Sequence, residues 1–322
     1  MIVKVSSHIS NLDIPYLMQN DYSINQKQIS PVISEEEYKQ WLLTDGVNTV
    51  IARTNQKIIG QSWAHPLQLF QNDKPIDKPV FWIHNVKVHP NWQNRGIYQK
   101  IAEFYSKRIF SQDENRFILV RTTNNRMRYL AKKTGFFPIS KVSIVFIFRY
   151  LFLLDQRRQV PLRILRSRKP PESWIDSVFQ HERVWIPQYS WDNSPDWFYV
   201  YVNQRLICVL QIIRPIHPIQ GRSLGKFTIR LHTTQLRYFS LYPDVLKLKS
   251  PIVRSLFANI FHLFPQINLL ICTLNVKLLT ELLKFPKSFF PRNEFILYSS
   301  TKDPNLLGNI LDYQSSFIPL LK

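Results

Sequence analysis

The stretch "VKVHPNWQNRGIYQK", Val86 to Lys100, sets one of only seven glycines in a 322-residue chain between an apolar run and a helical pattern. The residues leading into it, "PVFWIHNVKV" from Pro79 to Val88, are rich in the β-branched and aromatic types that favour strands. After Gly96 the apolar residues Ile97, Ile101, Phe104, Tyr105 and Ile109 recur at helical spacing. A strand that turns directly into a helix leaves backbone N–H groups free where the helix dipole is positive, and that geometry binds phosphate. Gly96 allows close backbone approach and Arg95 adds a mobile positive charge. An ordinary tight turn would also use a glycine, so the rest of the chain has to decide.

Upstream, a short strand is expected near Ile2 to Val5, then a helix in "SEEEYKQWLL", where Ser34 precedes three acids as a cap does. "NTVIARTNQKIIGQSWAH" reads as two strands joined by a hairpin at Asn55-Gln56. Downstream come a strand, "RFILVRT", a helix, "NNRMRYLAKKTGF", and the apolar run "VSIVFIFRYLFLL" from Val142 to Leu154. This order implies an α/β (α+β) fold with helices packed on a mostly antiparallel sheet.

The second half repeats the layout. "NQKII" at Asn55 to Ile59 returns as "NQRLI" at Asn203 to Ile207, an offset of 148. "LVRTTN" at Leu119 to Asn124 returns as "LICTLN" at Leu270 to Asn275, offset 151, and "FFP" ending at Pro138 returns at Pro291, offset 153. Three matches in one order favour an internal duplication. The expected division is a domain over 1–154, a basic linker over 155–174 and a degenerate second copy over 175–322, which lacks any counterpart of Gly96.

Charge restricts the partners. Lys plus Arg number 42 against 22 Asp plus Glu, a formal +20 with pI near 10.0, which favours anionic partners: nucleic acid, acidic lipid or a phosphorylated small molecule. The densest basic run, "RRQVPLRILRSRKPP" from Arg157 to Pro171, reads first as a solvated linker and second as a nucleic-acid or anionic-membrane contact. No zinc-finger spacing or RNA-recognition motif accompanies it. Cys208 and Cys272 stand far apart, which argues against a disulfide framework or a zinc-thiolate site and for a reducing compartment. The N-terminus has no secretory h-region, and the run at Val142 is too short and too charged to span a bilayer, so the expected location is the cytoplasm.

Taken together, Val86, Val88, Pro90, Gln93 and Gly96, followed by Asn124, Leu130, Lys133, Gly135 and Phe136 in register, resemble the two acetyl-coenzyme A motifs of the GNAT superfamily of N-acyltransferases. The resemblance covers about residues 1 to 150 and also accommodates Gly60. It implies a GNAT-like fold that transfers an acetyl or acyl group from acetyl-CoA (acyl-CoA) to an amine by direct attack in a ternary complex, with no metal. It implies cofactor contacts from Val86, Lys87, Val88, Gln93, Asn94, Arg95, Gly96, Ile97, Tyr98 and Asn124. Two positions depart from the pattern. The last small residue of the phosphate loop is Tyr98, and the helix position that usually holds the family's acid Tyr is Ala131. Tyr129, two residues earlier, lies about 200° around the helix.

An alkyl ammonium must lose its proton before it attacks, a cost of roughly 4 kcal/mol at neutral pH. The run Val80 to Val88 contains no carboxylate; His84 is the candidate base, and strand alternation puts it on one face with Trp82, Val86 and Val88. A hydrogen-bonded core histidine is the competing reading. His65 is a candidate substrate contact, His89 belongs to the turn, and Asn124 reads both as a catalytic or cofactor contact and as a helix cap. Three functions stay in view: an N-acyltransferase, a non-catalytic acyl-CoA-binding module, and a basic nucleic-acid or membrane-surface binder.

Overall fold

The computed structural model describes residues 3–17, 30–31, 35–36, 39, 47–55, 57–67, 70–71, 74–75, 80–111, 114–153, 160–167, 196–223, 227–240, 250–273 and 292–301. Among the described residues thirteen strands form one sheet. In chain order they include β1 (Lys4–Ser6), β2 (Asn48–Thr54), β3 (Lys57–Leu67), β4 (Val80–Val88), β5 (Asn115–Arg121) and β6 (Phe137–Phe148). The second half adds β7 (Arg163–Ser167), β8 (Asp196–Val202), β9 (Arg205–Ser223), β10 (Phe227–Ser240), β11 (Leu269–Thr273) and β12 (Arg292–Ser299). Helix α1 (Ile97–Phe104) connects β4 to β5 and α2 (Asn125–Lys133) connects β5 to β6; α3 (Tyr150–Leu153) follows β6, and α4 (Ser250–Leu263) connects β10 to β11.

The spatial order is β1-β2-β3-β4-β5-β12-β6-β11-β10-β9-β8-β7, with the two-residue strand Ser30–Pro31 beside β9. It reads alike from both ends: a hairpin, a third strand, a helix crossover to a parallel neighbour, and then a last strand taken from the other half. The two parallel pairs are β4/β5 and β10/β11; every other pairing in this sheet is antiparallel. β12 lies between β5 and β6, and β6 reaches across to β11. The sheet is therefore continuous from one half of the sequence to the other, and each half completes the other's strand order.

Local chemistry explains the repeated hairpins. Thr54 pairs with Lys57 and Val202 with Arg205, so each loop has two residues, Asn-Gln in both. Asn55 (φ 42°), Asn203 (φ 49°) and Gln204 (φ 66°) take the left-handed conformation that two-residue hairpins demand and Asn tolerates.

Two apolar cores lie under the helices. One gathers Val50, Ala52, Phe81, Ile83, Ile118 and Val120 beneath Ile97, Ile101 and Tyr105 of the α1 segment, with Tyr298 of β12 fully buried among them. The other gathers Phe198, Val200, Leu256, Phe257, Ile260 and Phe261, with Ile147 of β6 fully buried among them. Each core thus includes one strand from the other half. On the sheet's other face Ile14, Leu17, Ile51, Ile58 and Trp63 pack under the N-terminal segment. There the Arg53 guanidinium donates to both Asp13 oxygens (2.6 and 2.5 Å), and the Ser10 amide and hydroxyl donate to Oδ2.

Part of the basic run expected as a linker is a strand: Arg163–Ser167 is the edge of the sheet, paired with Trp197–Tyr201. Arg157 to Gln159 and Arg168 to Pro171 of that run lie outside the described residues. So do Ser34 and most of the helix expected after it, and the second "FFP". Among the described residues no helix is long and apolar enough to cross a membrane.

Candidate functional site: a forked strand pair and its glycine turn

β4 and β5 pair only from Val80/Asn115 to Ile83/Ile118. Beyond that point the parallel strands part, and residues 84–88 face residues 119–121 across an open fork. On its other side β4 stays zipped to β3 as far as Gly60/Val88, but the ladder carries a fault. Between the pairs Trp63/His84 and Gln61/Lys87, β3 advances two residues and β4 three. The extra residue makes a β-bulge, with Asn85 in the left-handed conformation at φ 53°. Ser62 lies opposite the bulge, and the buried Tyr105 hydroxyl donates to its carbonyl at 2.8 Å.

The bulge corrects one expectation. Strand alternation put His84 on the face of Val86 and Val88, but the inserted residue reverses the parity. Val86 and Val88 pack on the core under α1, whereas His84 shares the opposite face with Trp63, its pairing partner, and with Lys87, paired with the residue two before it. There the His65 and His84 rings lie 4.6 Å apart, and Trp63 meets His84 edge-on at 5.5 Å. Burial holds the His84 imidazole well below its ordinary pKa, and His65 and Lys87 push the same way, so His84 is neutral at neutral pH.

After β4 the chain makes a single turn over Pro90–Trp92, capped where the Asn91 amide donates to Nδ1 of His89, as expected for a turn histidine. Asn94 (φ 64°) and Gly96 (φ 72°) then reverse direction into α1. Within the chain a Cβ at Gly96 would meet only Gln99 Oε1, at 3.3 Å, so among protein atoms it is the left-handed backbone rather than crowding that favours glycine here. The first helical bond is donated by Lys100 to the Gly96 carbonyl (3.1 Å), which leaves the amides of Ile97, Tyr98 and Gln99 unused by the helix. No acidic residue stands in that first turn. Crowding acts instead at Gly60, where a Cβ would stand 2.9 Å from Ile97 Cγ2; the missing side chain lets α1 lie directly on β3.

The fork and turn open on a cleft of about 450 Å³. Of the residues expected at a cofactor, Val86, Val88, Gln93, Asn94, Gly96, Ile97, Tyr98 and Asn124 line it. Lys87 and Arg95 do not: Lys87 points to the other face, and Arg95 lies over the Trp92 ring, 5.1 Å from its centroid. Asn124 caps α2, accepting from the Met127 amide at 3.0 Å, while its side chain also lines the cleft. Tyr98, in place of the small residue, is accommodated: its hydroxyl reaches Thr134 Oγ1 at 3.4 Å, and burial raises its pKa. Ala131 is fully buried in the core beneath α2.

The lining also includes Trp92, Gln99, Arg126, Met127, Tyr129 and Leu130, which sequence reasoning passed over. Arg126 is the most informative of them. Its guanidinium donates to Gln93 Oε1 (3.2 Å), while Gln93 Nε2 donates to the Val88 carbonyl (3.3 Å), joining strand, turn and α2 around the cleft. A basic residue on a polar helix reads as a solvated face, so only its contact with Gln93 reveals the position. Among the described residues no three His, Cys, Asp or Glu side chains come together as metal ligands would.

The cleft beside the forked parallel pair thus has unused helix amides and an arginine in its lining, donors of the kind an anion accepts. Residues 15–136 match the acetyltransferase (GNAT) family. A comparison with curated proteins finds no match. Among solved structures the chain is similar to a glucosamine N-acetyltransferase region of a fungal multi-domain beta-N-acetylglucosaminidase, at 12% identity and TM-score 0.61 over 92% of this chain. It spans only 38% of that protein's length. It is also similar to Saccharomyces cerevisiae N-myristoyltransferase with bound myristoyl-CoA, at 12% identity and TM-score 0.57 over 92% of this chain and 82% of that one. A third likeness is to a putative acetyltransferase from Pyrococcus horikoshii, at 13% identity and TM-score 0.52 over 92% and 88%. At these identities the likeness is one of fold, and it extends over both halves of the chain.

Proposed function

We propose that this protein is an acyl-CoA-dependent N-acyltransferase whose N-terminal half, residues 1–154, holds the acyl-CoA. Residues 175–322 would be a degenerate second copy of the same unit, joined through 155–174 and interlocked with the first by exchange of the last strands. The palindromic strand order supports the duplication. The observation that carries the function is the fork: its mouth is set against a helix N-terminus with three free amides and a left-handed glycine.

In this reading acetyl-CoA supplies an activated thioester, whose C–S bond breaks as the amine nitrogen takes the acyl group. The amides of Ile97, Tyr98 and Gln99 bind the pyrophosphate, and Arg126 adds a cation beside them. Parted from β5, the outer backbone of β4 at Val86 and Val88 holds the pantetheine arm and donates toward the reacting carbonyl, the kind of preorganised contact that often dominates acyl transfer. Asn124, its Oδ1 committed to the helix cap, keeps the amide Nδ2 for the ligand. Neutral His84, on the opposite face, is placed to take a proton from an amine that enters from that side.

A specific observation favours a second reading. Ala131 is packed into the core, so α2 carries no phenol at the position of the usual acid. A non-catalytic acyl-CoA-binding module would have that character. Tyr98 and Tyr129 also line the cleft, and either phenol replaces the acid if the enzyme reading holds. Calorimetric titration with acetyl-CoA followed by thiol release over a panel of amines separates the two: binding with turnover supports the enzyme, and binding without turnover supports the module. Absence of binding contradicts both. Salt-sensitive retention on heparin or anionic vesicles in place of acetyl-CoA binding would support the basic-surface reading instead.

A further inference from the structure

Trp92 has a setting that a turn alone does not call for. It lies beyond the end of β4, in the turn that leads to Gly96, and is half-buried, packing against the core under α1 while also lining the cleft. Three hydrogen bonds hold the turn around it. The Trp92 amide donates to the His89 carbonyl (2.8 Å), the Gln93 amide to the Pro90 carbonyl (3.2 Å) and the Asn91 amide to His89 Nδ1 (3.3 Å). Pro90 fixes its own φ, and the Gln93 side chain ties the turn to the Val88 carbonyl and to Arg126. The indole is thus set in place before any ligand arrives.

Arg95 lies over the ring, its guanidinium carbon 5.1 Å from the centroid, yet it is absent from the cleft lining to which Trp92 belongs. The cation therefore takes one face of the indole and leaves the rest of the ring to the cleft. The same cleft holds the α1 segment Ile97 to Gln99, whose amides the helix leaves unused, and Arg126, which donates to the residue after Trp92. In a nucleotide the base stands one sugar away from the phosphates, and every base has a π-face that stacks on an aromatic ring. A thioester arm laid along Val86 and Val88, with its phosphates on those amides, leaves its nucleotide end beside the turn. A cation on the far face draws on the π-cloud of the indole, which eases stacking with an electron-rich purine.

We infer that Trp92, backed by Arg95, is the platform on which the purine base of the acyl donor stacks, so that the cleft selects a nucleotide-borne thioester over the same phosphopantetheine arm without a base. This inference rests on the acyltransferase reading. Arg95 acts through Trp92 and is a positioning residue. The test titrates CoA and 4′-phosphopantetheine into the full chain by calorimetry, with phosphopantetheine also read by competition against CoA. Trp92→Leu is expected to weaken CoA about tenfold or more, as when a stacked base loses its aromatic partner, and to leave phosphopantetheine within about twofold. Trp92→Phe, which keeps a ring, should hold CoA to within about threefold of the parent. Arg95→Met should weaken CoA about threefold in the parent and have no further effect in Trp92→Leu.

Binding decides the inference whether or not the acyl group is transferred. Unchanged CoA affinity in Trp92→Leu overturns it. So does an equal loss in Trp92→Phe, or a parallel loss of phosphopantetheine, since either means that the indole shapes the turn and meets no base. Where phosphopantetheine binds too weakly to read, the two CoA comparisons decide by themselves. An Arg95→Met effect that persists in Trp92→Leu overturns the backing role and assigns the guanidinium to a phosphate. CoA binding indifferent to Trp92 overturns this inference alone, and no CoA binding by the parent overturns the acyltransferase reading with it.

Discussion

Among the described residues two parallel strand pairs are each linked by a helix crossover, and they are equipped differently. At β4/β5 the strands part after Ile83 and Ile118, a bulge turns β4, and a glycine at φ 72° opens a helix with free amides beside a cleft. At β10/β11 the pairing runs from Thr233/Leu269 to Gln235/Ile271, and the whole stretch 227–273 contains no glycine. Its helix α4 is nearly twice as long as α1 and sets Val253, Leu256, Phe257, Ile260 and Phe261 into the core. One topology opens on a cleft at one end of the sheet and is filled by packing at the other, with strands β6 and β12 crossing between the two.

The largest effect should come from breaking that exchange. Ending the chain after residue 291 removes β12, exposes the edges of β5 and β6, and takes Tyr298 out of the N-terminal core. The expected result is loss of cooperative thermal unfolding, followed by near-ultraviolet circular dichroism. Tyr298→Ala in the full chain should cost about 3 kcal/mol in denaturant melts, as for other buried aromatics. A native, cooperatively melting fragment 1–291 would mean that the halves are independent and merely adjacent.

Next in size is Gly60→Ala. The new methyl would meet Ile97 at 2.9 Å, so α1 must lift from β3, at an expected 1–3 kcal/mol as in other overpacked cores. The free amides of the glycine turn move with the helix, and acetyl-CoA affinity should drop along with stability. Unchanged affinity would detach the turn from the seating of α1.

A smaller, pH-dependent effect belongs to Asp13. Burial raises its pKa, but the hydrogen bonds from Arg53 and Ser10 outweigh that and bring it from 3.8 to about 2. A carboxylate depressed on folding stabilises the protein at pH values above its unfolded pKa, and the contribution is lost as pH falls from near 4 toward 2. It amounts to at most about 2 kcal/mol. Asp13→Asn should lower stability at pH 7 and flatten the difference from the parent below pH 3; a constant difference down to pH 2 would refute the assignment. The smallest effect should be that of Tyr298→Phe. Among the described residues the buried Tyr298 hydroxyl has no hydrogen-bond partner, so its removal should leave stability within about 1 kcal/mol or raise it.

Local chemistry made much of this legible in the sequence. Asn-Gln between β-rich runs marked both hairpins, and Pro90 with Gly96 marked the turn and the start of α1. What stayed hidden depended on partners far along the chain. The bulge adds one residue relative to β3, and only Asn85 inside an otherwise β-rich run hinted at it, since Asn is poor in strands and tolerant of left-handed backbone. Without the bulge, alternation set Val86 and Val88 on the face of Trp82 and His84, whereas they lie on the other. Strand exchange leaves no local mark at all: β12 reads as a strand whichever neighbour it has, and periodicity does not say that it lies beside β5. The pairing of Asp13 with Arg53 and of Arg126 with Gln93 is likewise a product of folding.

The most direct test of the account is calorimetric titration of acetyl-CoA into the parent protein and Gly96→Glu. The substitution forces a side chain into a left-handed position, at about 1 kcal/mol, and sets a carboxylate among the amides that would hold the pyrophosphate. The account predicts binding by the parent and a loss of about a hundredfold or more in the variant, with cooperative unfolding retained and the melting temperature lowered by only a few degrees. Equal affinity in the two proteins would contradict it.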